Sequence, residues 1–288
     1  MPSKSATLST FKDVSDLKVT LAGEYRKTIE NYLGSPEKAL EFLSNVVESV
    51  RRTPKLLECV PATVVSSFIV MASLKLMPSG VSGEAYVLPY KNKGVMEAQF
   101  QLGYPGIATL LYRAGNREVI AELVREHDTF SISRGKIKHE VDPRKTKAQR
   151  GVWIGAYAII VTSTGGTVEG YMTKEDILDH AKKFSKSYGG EYSPWNPEND
   201  PEGWMPRKTV LKQVAKLAPK NETLNRALAE DNKDSVIHDR LSAVAGESAG
   251  LRMGALLEQP KRLDHEDGKK DGIDEAPQGE PVIDVGEG

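Results

Sequence analysis

The sequence predicts an α+β protein with N-terminal helices, a central antiparallel β meander with packed helices, a C-terminal helical region and a disordered acidic tail. Three observations lead to this fold class. Apolar residues recur every three or four positions in Glu37–Arg51, which is the spacing of an amphipathic helix. Short apolar and aromatic segments separated by turns follow over 84–172, as is typical of antiparallel strands. Acidic residues, glycine and proline are frequent from Glu258 onward.

Serine and proline mark the limits of the N-terminal helices. Residues 1–18 are predicted to be disordered, whereas Val19–Tyr32 has near-helical apolar spacing. Ser35 is a good N-cap and Pro36 a good first residue for the helix Glu37–Arg51. Two further helices, each opened by a proline, are predicted over Pro54–Cys59 and Pro61–Leu76.

A β-hairpin is predicted to open the central region. Glu84–Tyr90 and Met96–Leu102 are extended segments on either side of the turn Lys91–Gly94. A helix follows over Tyr104–Ala114, because Pro105 suits its first turn and Gly115 its end. The remaining strands of the meander are predicted at Arg117–Glu126, Thr129–Ser133, Lys136–Glu140, Val152–Thr162 and Thr167–Met172.

The last predicted elements are helical. Thr173 caps a helix over Lys174–Lys183, a loop spans Ser185–Pro206, and a further helix runs over Pro206–Ala218. The predicted organisation is a disordered N-terminus (1–18), a helical region (19–59), a central core (60–220), a second helical region (221–257) and a disordered acidic tail (258–288).

The composition is that of a soluble globular protein, with 39% hydrophobic and 27% charged residues. No apolar run approaches the ~18 residues of a membrane span, and the polar N-terminus lacks the apolar core of a signal peptide. We therefore expect a cytoplasmic protein without membrane contact. Cys59 is the only cysteine, which excludes an intrachain disulfide and predicts a small buried side chain.

The sequence lacks the common motifs of enzymes. It contains no GxxxxGK[ST] phosphate-binding loop, no HExxH and no Cys/His spacing suited to zinc. Its five histidines are scattered along the chain without evident partners. These absences favour a binding protein over an enzyme. A metal-dependent nuclease remains the alternative, because carboxylates that converge at strand ends are invisible in a sequence.

The net charge of −1 conceals an uneven distribution of charge. Arg262–Gly288 holds nine acidic and three basic residues, so the rest of the chain is net positive. Arg134–Arg150 holds seven basic residues and two acidic ones. Such a run is either a solvated face or a wall that attracts phosphate. The candidates for phosphate contact in it are Arg134, Lys136, Lys138, Lys145 and Lys147.

The helix over 206–218 carries the best local argument for a polyanion. At 100° per residue, Lys208, Lys212 and Lys216 form one stripe, whereas Val210, Val214 and Leu217 are predicted to face the core on the opposite side. No acidic residue lies four positions away within the helix to neutralise these lysines. Arg207 precedes them. The alternative is a solvated helix face.

Other candidates are single residues. Lys91 and Lys93 lie at the tip of the predicted hairpin, where they either contact a bound strand or keep the tip soluble. Tyr104 either stacks on a base or packs in the core. Arg113 and Arg117 flank a helix end and are candidates for phosphate contact.

Five blocks, in order, resemble the RecT family of phage and prophage recombinases. They are LKLMPSGVSGEAYVLPY (Leu74–Tyr90), FQLGYPGIATLLYRAG (Phe100–Gly115), GVWIGAYAII (Gly151–Ile160), Pro194–Trp195 and MPRKTVLKQ (Met205–Gln213). The resemblance extends over roughly Val60 to Pro219, which makes the 60–220 core an annealing core with a DNA-binding groove. It also implies that Gln101, in the second block, lines this groove.

The resemblance implies ATP-independent binding of single-stranded DNA and annealing of complementary strands in homologous recombination. It implies a homo-oligomer, as a ring or helical filament, that retains the annealed duplex. It also implies a partner 5′→3′ exonuclease and a host single-strand-binding protein in the cytoplasm of a bacterial cell. No cofactor is expected, although Mg²⁺ is expected to modulate DNA binding.

Overall fold

In the computed structural model the described residues are 10–78, 82–92, 94–191 and 193–233. Five helical segments come first. They are α1 (Val14–Gly23), α2 (Arg26–Leu33), α3 (Pro36–Arg52), a 3₁₀ helix (Pro54–Glu58) and α4 (Pro61–Ser73). Ser35 caps α3 as predicted, because its hydroxyl accepts a hydrogen bond from the Lys38 backbone amide.

The first helix differs from its prediction in position. It begins at Val14, capped by the Asp13 carboxylate, so residues 14–18 are helical rather than disordered. Leu17 and Leu21 are buried against the other helices, which explains why this polar-looking segment folds. The predicted single helix over Val19–Tyr32 is two helices, α1 and α2.

The strands β1 (Ala85–Asn92) and β2 (Val95–Leu102) form the predicted antiparallel hairpin. The hairpin lies on α4, where the Thr63 hydroxyl accepts a hydrogen bond from the Ala98 backbone amide at 3.0 Å. Helix α5 (Tyr104–Arg113) follows. At its start the chain passes so close to the backbone of residues 83 and 84 that two positions of the GYPG block must be glycine. A Cβ at Gly103 would lie 1.8 Å from the Gly83 carbonyl oxygen, and one at Gly106 would lie 2.0 Å from the Glu84 carbonyl oxygen. These positions therefore accept only glycine.

The next strands form a three-stranded antiparallel sheet in the order β3–β6–β7 and a separate hairpin, β4–β5. Their bounds are β3 (Glu118–Arg125), β4 (Thr129–Ser133), β5 (Lys136–Glu140), β6 (Trp153–Val161) and β7 (Thr167–Thr173). Helices α6 (Lys174–Phe184) and α7 (Trp204–Ala215) pack on the sheet, with Thr173 capping α6 as predicted. Gly170 permits close contact, because a Cβ there would lie 2.7 Å from a Val214 methyl group.

Helix α8 (Glu222–Glu230) closes the described chain and packs on α5 and β2. The predicted α+β class, with leading helices and antiparallel sheets with packed helices, is confirmed. The rest of the predicted helical region, 234–257, and the predicted tail, 258–288, lie outside the described residues. Among the helices that the structure describes, none combines the length and apolarity needed to cross a membrane.

Candidate nucleic-acid interface

A cleft lies between the β1–β2 hairpin on one side and α6 and α7 on the other. It has two adjoining lobes of about 410 and 290 Å³. The residues that line both lobes are Tyr90, Gln101, His180, Phe184, Ser185, Lys212 and Asp231. Lys216 lines the first lobe and Lys208 the second. The fold therefore brings four residues predicted from sequence to one cleft: Gln101, Lys208 and Lys212 of α7, and Lys216 at the C-terminal cap of α7.

Helix α7 presents its lysines to the cleft and its apolar residues to the core. Val210 and Val214 are buried, as the helical spacing predicts. Leu217 is 76% exposed, so its predicted place in the core is wrong. The reason is that α7 ends at Ala215, and the helical phase no longer sets the direction of a side chain two residues later.

The lysines nearest the cleft floor are neutralised, contrary to the prediction. Lys212 Nζ contacts the Asp231 carboxylate, and Lys208 Nζ lies 4.0 Å from Asp231 Oδ1. The Leu102 backbone amide donates to the same Oδ1 at 2.7 Å. The side chain of Asp231 is 4% exposed, and those of Lys208 and Lys212 are each 17% exposed. The prediction considered partners within the helix, whereas this one comes from the end of α8.

Burial and charge oppose each other within this group. Burial lowers the pKa of Lys208 below its ordinary value, while the Asp231 carboxylate raises it. Burial raises the pKa of Asp231, but the two lysines and the Leu102 amide outweigh burial and lower it. Asp231 is therefore ionised, and one carboxylate faces two amino groups at the floor of the cleft.

The mouth of the cleft is electropositive. Lys216 is exposed, and its Nζ donates to Gln213 Oε1 at 2.8 Å. Burial lowers the pKa of His180, and the positive charges of Lys216, Lys212 and Lys183 lower it further. The imidazole is therefore neutral at neutral pH. The same positive potential that disfavours protonation of His180 favours binding of an anion at this place.

Three cleft residues were missed by the sequence reasoning. Tyr90 Oη accepts a hydrogen bond from Gln101 Nε2 at 2.7 Å, and Lys186 Nζ lies 5.8 Å from the centre of the Tyr90 ring. Phe184 is 64% exposed at the end of α6, with its ring 4.6 Å from that of His180. The sequence signal that could have revealed two of them is the aromatic Phe184 two positions before Lys186. An exposed aromatic ring beside lysines suits stacking on a nucleobase.

Two buried donors near the cleft lack an acceptor among the residues that the structure describes. Trp195 Nε1 and Gln99 Nε2 make no hydrogen bond to any residue that the structure describes. Trp195 lines the smaller lobe and Gln99 the larger one. Buried donors are normally paired, so these two are exceptions next to the cleft.

Arg207 and Tyr104 lie beside β3. The Arg207 guanidinium contacts the Glu122 carboxylate at 2.9 Å and lies 5.2 Å from the centre of the Trp204 ring. The Tyr104 ring is 5.4 Å from the same indole. Trp204 is 47% exposed, so this cluster forms a second aromatic and basic surface.

The two arginines around α5 differ in their contacts. Arg113 Nη1 donates to the carbonyl oxygens of Leu74 and Lys75, at 3.2 and 3.1 Å, and so satisfies acceptors at the end of α4. This contact gives Arg113 a structural role that the sequence did not reveal. The Arg117 side chain is exposed just before β3.

At the tip of the β1–β2 hairpin, Lys91 is exposed, and Lys93 lies outside the described residues.

The basic run 134–150 is spread over the β4–β5 hairpin and the loop after it. Arg134 lies in the hairpin turn with φ of +50°, and Lys138 and Lys145 are exposed. Lys136 is paired with Glu169 at 2.9 Å, and Lys147 contacts Glu202. The five predicted phosphate contacts of this run therefore do not converge on one point.

A buried ionic network anchors this hairpin to the sheet. The Asp128 carboxylate accepts two hydrogen bonds from Arg150, at 2.7 and 2.8 Å, and lies 3.0 Å from His139 Nε2. Burial raises the pKa of Asp128, but the hydrogen bonds from Arg150, the Arg125 amide and His139 outweigh burial and hold it well below its ordinary value.

Over the described residues, no group of three His, Cys, Asp or Glu side chains is placed to hold a metal ion.

The sequence model of the RecT family matches residues 40–243, well over half of the chain. The chain therefore belongs to the RecT family, which confirms the resemblance of the five sequence blocks. It is a recombination protein of the single-strand annealing class. The matched range contains the described cleft, including α7 and Asp231.

Two curated relatives share much of this chain. Protein RecT of Escherichia coli (strain K12) is 29% identical over 195 residues, which are 66% of this chain and 70% of the relative. The uncharacterized protein YqaK of Bacillus subtilis (strain 168) is 29% identical over 216 residues, which are 72% of this chain and 68% of the relative.

Proposed function

We propose that the protein binds single-stranded DNA in the cleft and anneals complementary strands without ATP. The observation that carries this proposal is the convergence of three lysines, two on α7 and one at its C-terminal cap, with Gln101, Tyr90 and Phe184 along one open cleft. Lysines and a backbone amide recognise phosphate, and aromatic rings stack on any base. Such contacts are independent of base sequence, which annealing requires.

Annealing requires that a strand be held by its backbone while its base edges stay free to meet a complement. Phosphate contacts from α7 meet this requirement because they leave the Watson–Crick edges free. Base pairing then supplies the free energy, so no nucleotide hydrolysis is needed and no cofactor is proposed. Mg²⁺ is proposed only to modulate DNA binding by screening phosphates.

The working form is proposed to be a homo-oligomer, either a ring or a helical filament, acting in the bacterial cytoplasm. A row of clefts would hold a long strand extended and retain the annealed duplex. The proposed partners are a 5′→3′ exonuclease that exposes single strands and a host single-strand-binding protein. The exposed basic residues outside the cleft, among them Arg117, Lys138 and Lys145, are proposed as secondary DNA contacts.

The test is an annealing assay with two end-labelled complementary oligonucleotides, with and without ATP and Mg²⁺. We expect duplex formation to accelerate without ATP, for unrelated sequences alike, and we expect binding to weaken steeply with salt. Intact strand length in Mg²⁺ separates annealing from the alternative activity, a metal-dependent nuclease. Strand shortening, or no acceleration of duplex formation, would overturn the proposal.

A further inference from the structure

The end of α8 places an acidic side chain inside the most basic part of the cleft. The Asp231 carboxylate is surrounded by Lys208 Nζ, Lys212 Nζ and the Leu102 backbone amide. A backbone amide and two lysines are the donors that proteins use for phosphate. A carboxylate and a phosphodiester each carry one negative charge on two free oxygens, so the same donors serve both.

Contacts other than those of Asp231 hold most of α8 in place. Leu224, Ala227 and Leu228 are buried against the core, and Asn221 caps the helix by accepting from the Leu224 amide at 2.8 Å. Asp231 follows the last residue of α8. Its carboxylate can leave the lysines by opening the final turn, while the apolar face of the helix stays packed.

The local charges favour exchange of the carboxylate for another anion. Two amino groups face one carboxylate, and Lys216 and Lys186 line the same lobe of the cleft. An incoming phosphate would take over contacts that are already oriented, and the released carboxylate would gain water. The exchange replaces one buried ion pair by another, so it avoids leaving an unpaired buried charge.

We propose that Lys208, Lys212 and the Leu102 amide form a discrete phosphate subsite that Asp231 occupies in the DNA-free protein and that a backbone phosphate of the bound strand takes over. The inference rests on the proposed function. It adds that the Asp231 carboxylate competes with DNA phosphate for the subsite. The apparent affinity for DNA is lowered by the fraction of molecules in which Asp231 fills the subsite. Binding also opens the last turn of α8 and redirects the chain at Asn232.

The test compares Asp231→Asn with Glu230→Gln in the full-length protein. Glu230 is the adjacent carboxylate, and it pairs with Lys233 rather than with the subsite lysines. Each variant removes one negative charge, so a difference between them reports on the subsite. Binding of labelled oligothymidine is measured at a fixed salt concentration, together with thermal unfolding. We expect Asp231→Asn to bind about tenfold more tightly, as when a subsite free in about a tenth of molecules becomes fully available. Glu230→Gln should change affinity far less.

Equal affinities in the two variants, or weaker binding by a folded Asp231→Asn protein, would overturn the inference. If the wild-type protein does not bind oligothymidine, the proposed function itself is wrong. Failure of the proposed function can therefore be told apart from failure of the Asp231 exchange.

A second measurement keeps Asp231 and follows the end of α8. Cys59 is buried and burial raises its thiol pKa to about 12, so it stays unreactive toward thiol reagents. The variant Asn232→Cys therefore carries a single reactive thiol, to which an environment-sensitive fluorophore is attached. We expect its emission to change on addition of oligothymidine and to saturate together with binding. Saturable binding without a change in emission would overturn the proposed exchange.

Discussion

Helix α7 and the β4–β5 hairpin with its following loop are both strongly basic in sequence, yet they place their charges differently. Lys208 and Lys212 are mostly buried and converge on one carboxylate. Lys136 and Lys147 are 63% and 57% exposed and pair with separate acidic residues. The same residue type thus forms an organised site in one region and a solvated face in the other.

This difference shows that convergence and burial, rather than the number of basic residues, distinguish a candidate site. Exposed ion pairs are worth little because water and salt screen them. A pair removed from water interacts strongly, and the loss of one partner is costly. Substitutions in the two regions should therefore differ in both DNA affinity and stability.

The largest effect is expected from the double variant Lys208→Ala/Lys212→Ala. It removes both cations from the Asp231 carboxylate, but that carboxylate can reach water when the last turn of α8 opens, so the free energy of unfolding should fall by about 2 kcal/mol, less than for a buried charge that cannot escape. DNA binding should weaken together with stability. Chemical denaturation and oligonucleotide titration measure the two quantities. Unchanged stability would show that Asp231 is solvated in the native protein and would remove the contrast between the regions.

Asp128→Asn should have the next largest effect, because it breaks the network that anchors the β4–β5 hairpin. We expect a loss of about 2 kcal/mol, as for hydrogen bonds to charged groups. The pKa of Asp128 is lowered in the folded protein. The ionised carboxylate therefore stabilises the protein fully above the ordinary aspartate pKa of 3.8, and this stabilisation is lost as the pH falls through the pKa of Asp128 in the folded protein. Thermal unfolding from neutral to acidic pH should therefore show weaker acid destabilisation in the variant. Parallel curves for the two proteins would contradict this assignment.

Lys216→Ala should affect DNA binding with little change in stability, since Lys216 is exposed at the mouth of the cleft. Loss of one phosphate contact should reduce the slope of log K against log [salt] by roughly 0.7 for single strands. Lys18→Ala, at an exposed position of α1, is the matched control and should leave the slope unchanged. Equal slopes in all three proteins would place Lys216 outside the interface.

The smallest effect is expected from Lys145→Ala/Lys147→Ala in the exposed loop. Two solvated lysines at a secondary contact should change the salt slope by less than Lys216 alone, with stability altered by less than about 0.5 kcal/mol. The same salt titration provides the comparison. A change larger than that of Lys216→Ala would reverse the ranking of the two regions and move the main DNA contact to this loop.

Local sequence predicted most of the described elements, because their determinants lie within a few residues. Ser35 and Thr173 cap the helices that they were predicted to cap. The β1–β2 hairpin forms from the two extended segments that were predicted to flank the turn Lys91–Gly94. The stripe of α7 lysines follows from 3.6 residues per turn, and it faces a cleft rather than only solvent.

The failures of prediction concern contacts between distant parts of the chain. Asp231 lies in another helix from the lysines that it neutralises, so the spacing within α7 did not reveal it. Arg113 binds carbonyl oxygens at the end of α4 and contributes to structure in a way that its neighbours do not show. Leu217 is exposed because α7 ends at Ala215, before its predicted end at Ala218.

The sequence by itself determined the fold class, the family and the one helix face on which lysines align, because these depend on local periodicity and ordered motifs. The tertiary structure decided which lysines share a cleft, which of them are neutralised and which donors remain unpaired. Ion pairs and burial depend on where the chain brings remote residues together. No pattern read along the sequence specifies that α8 ends with its carboxylate between two lysines of α7.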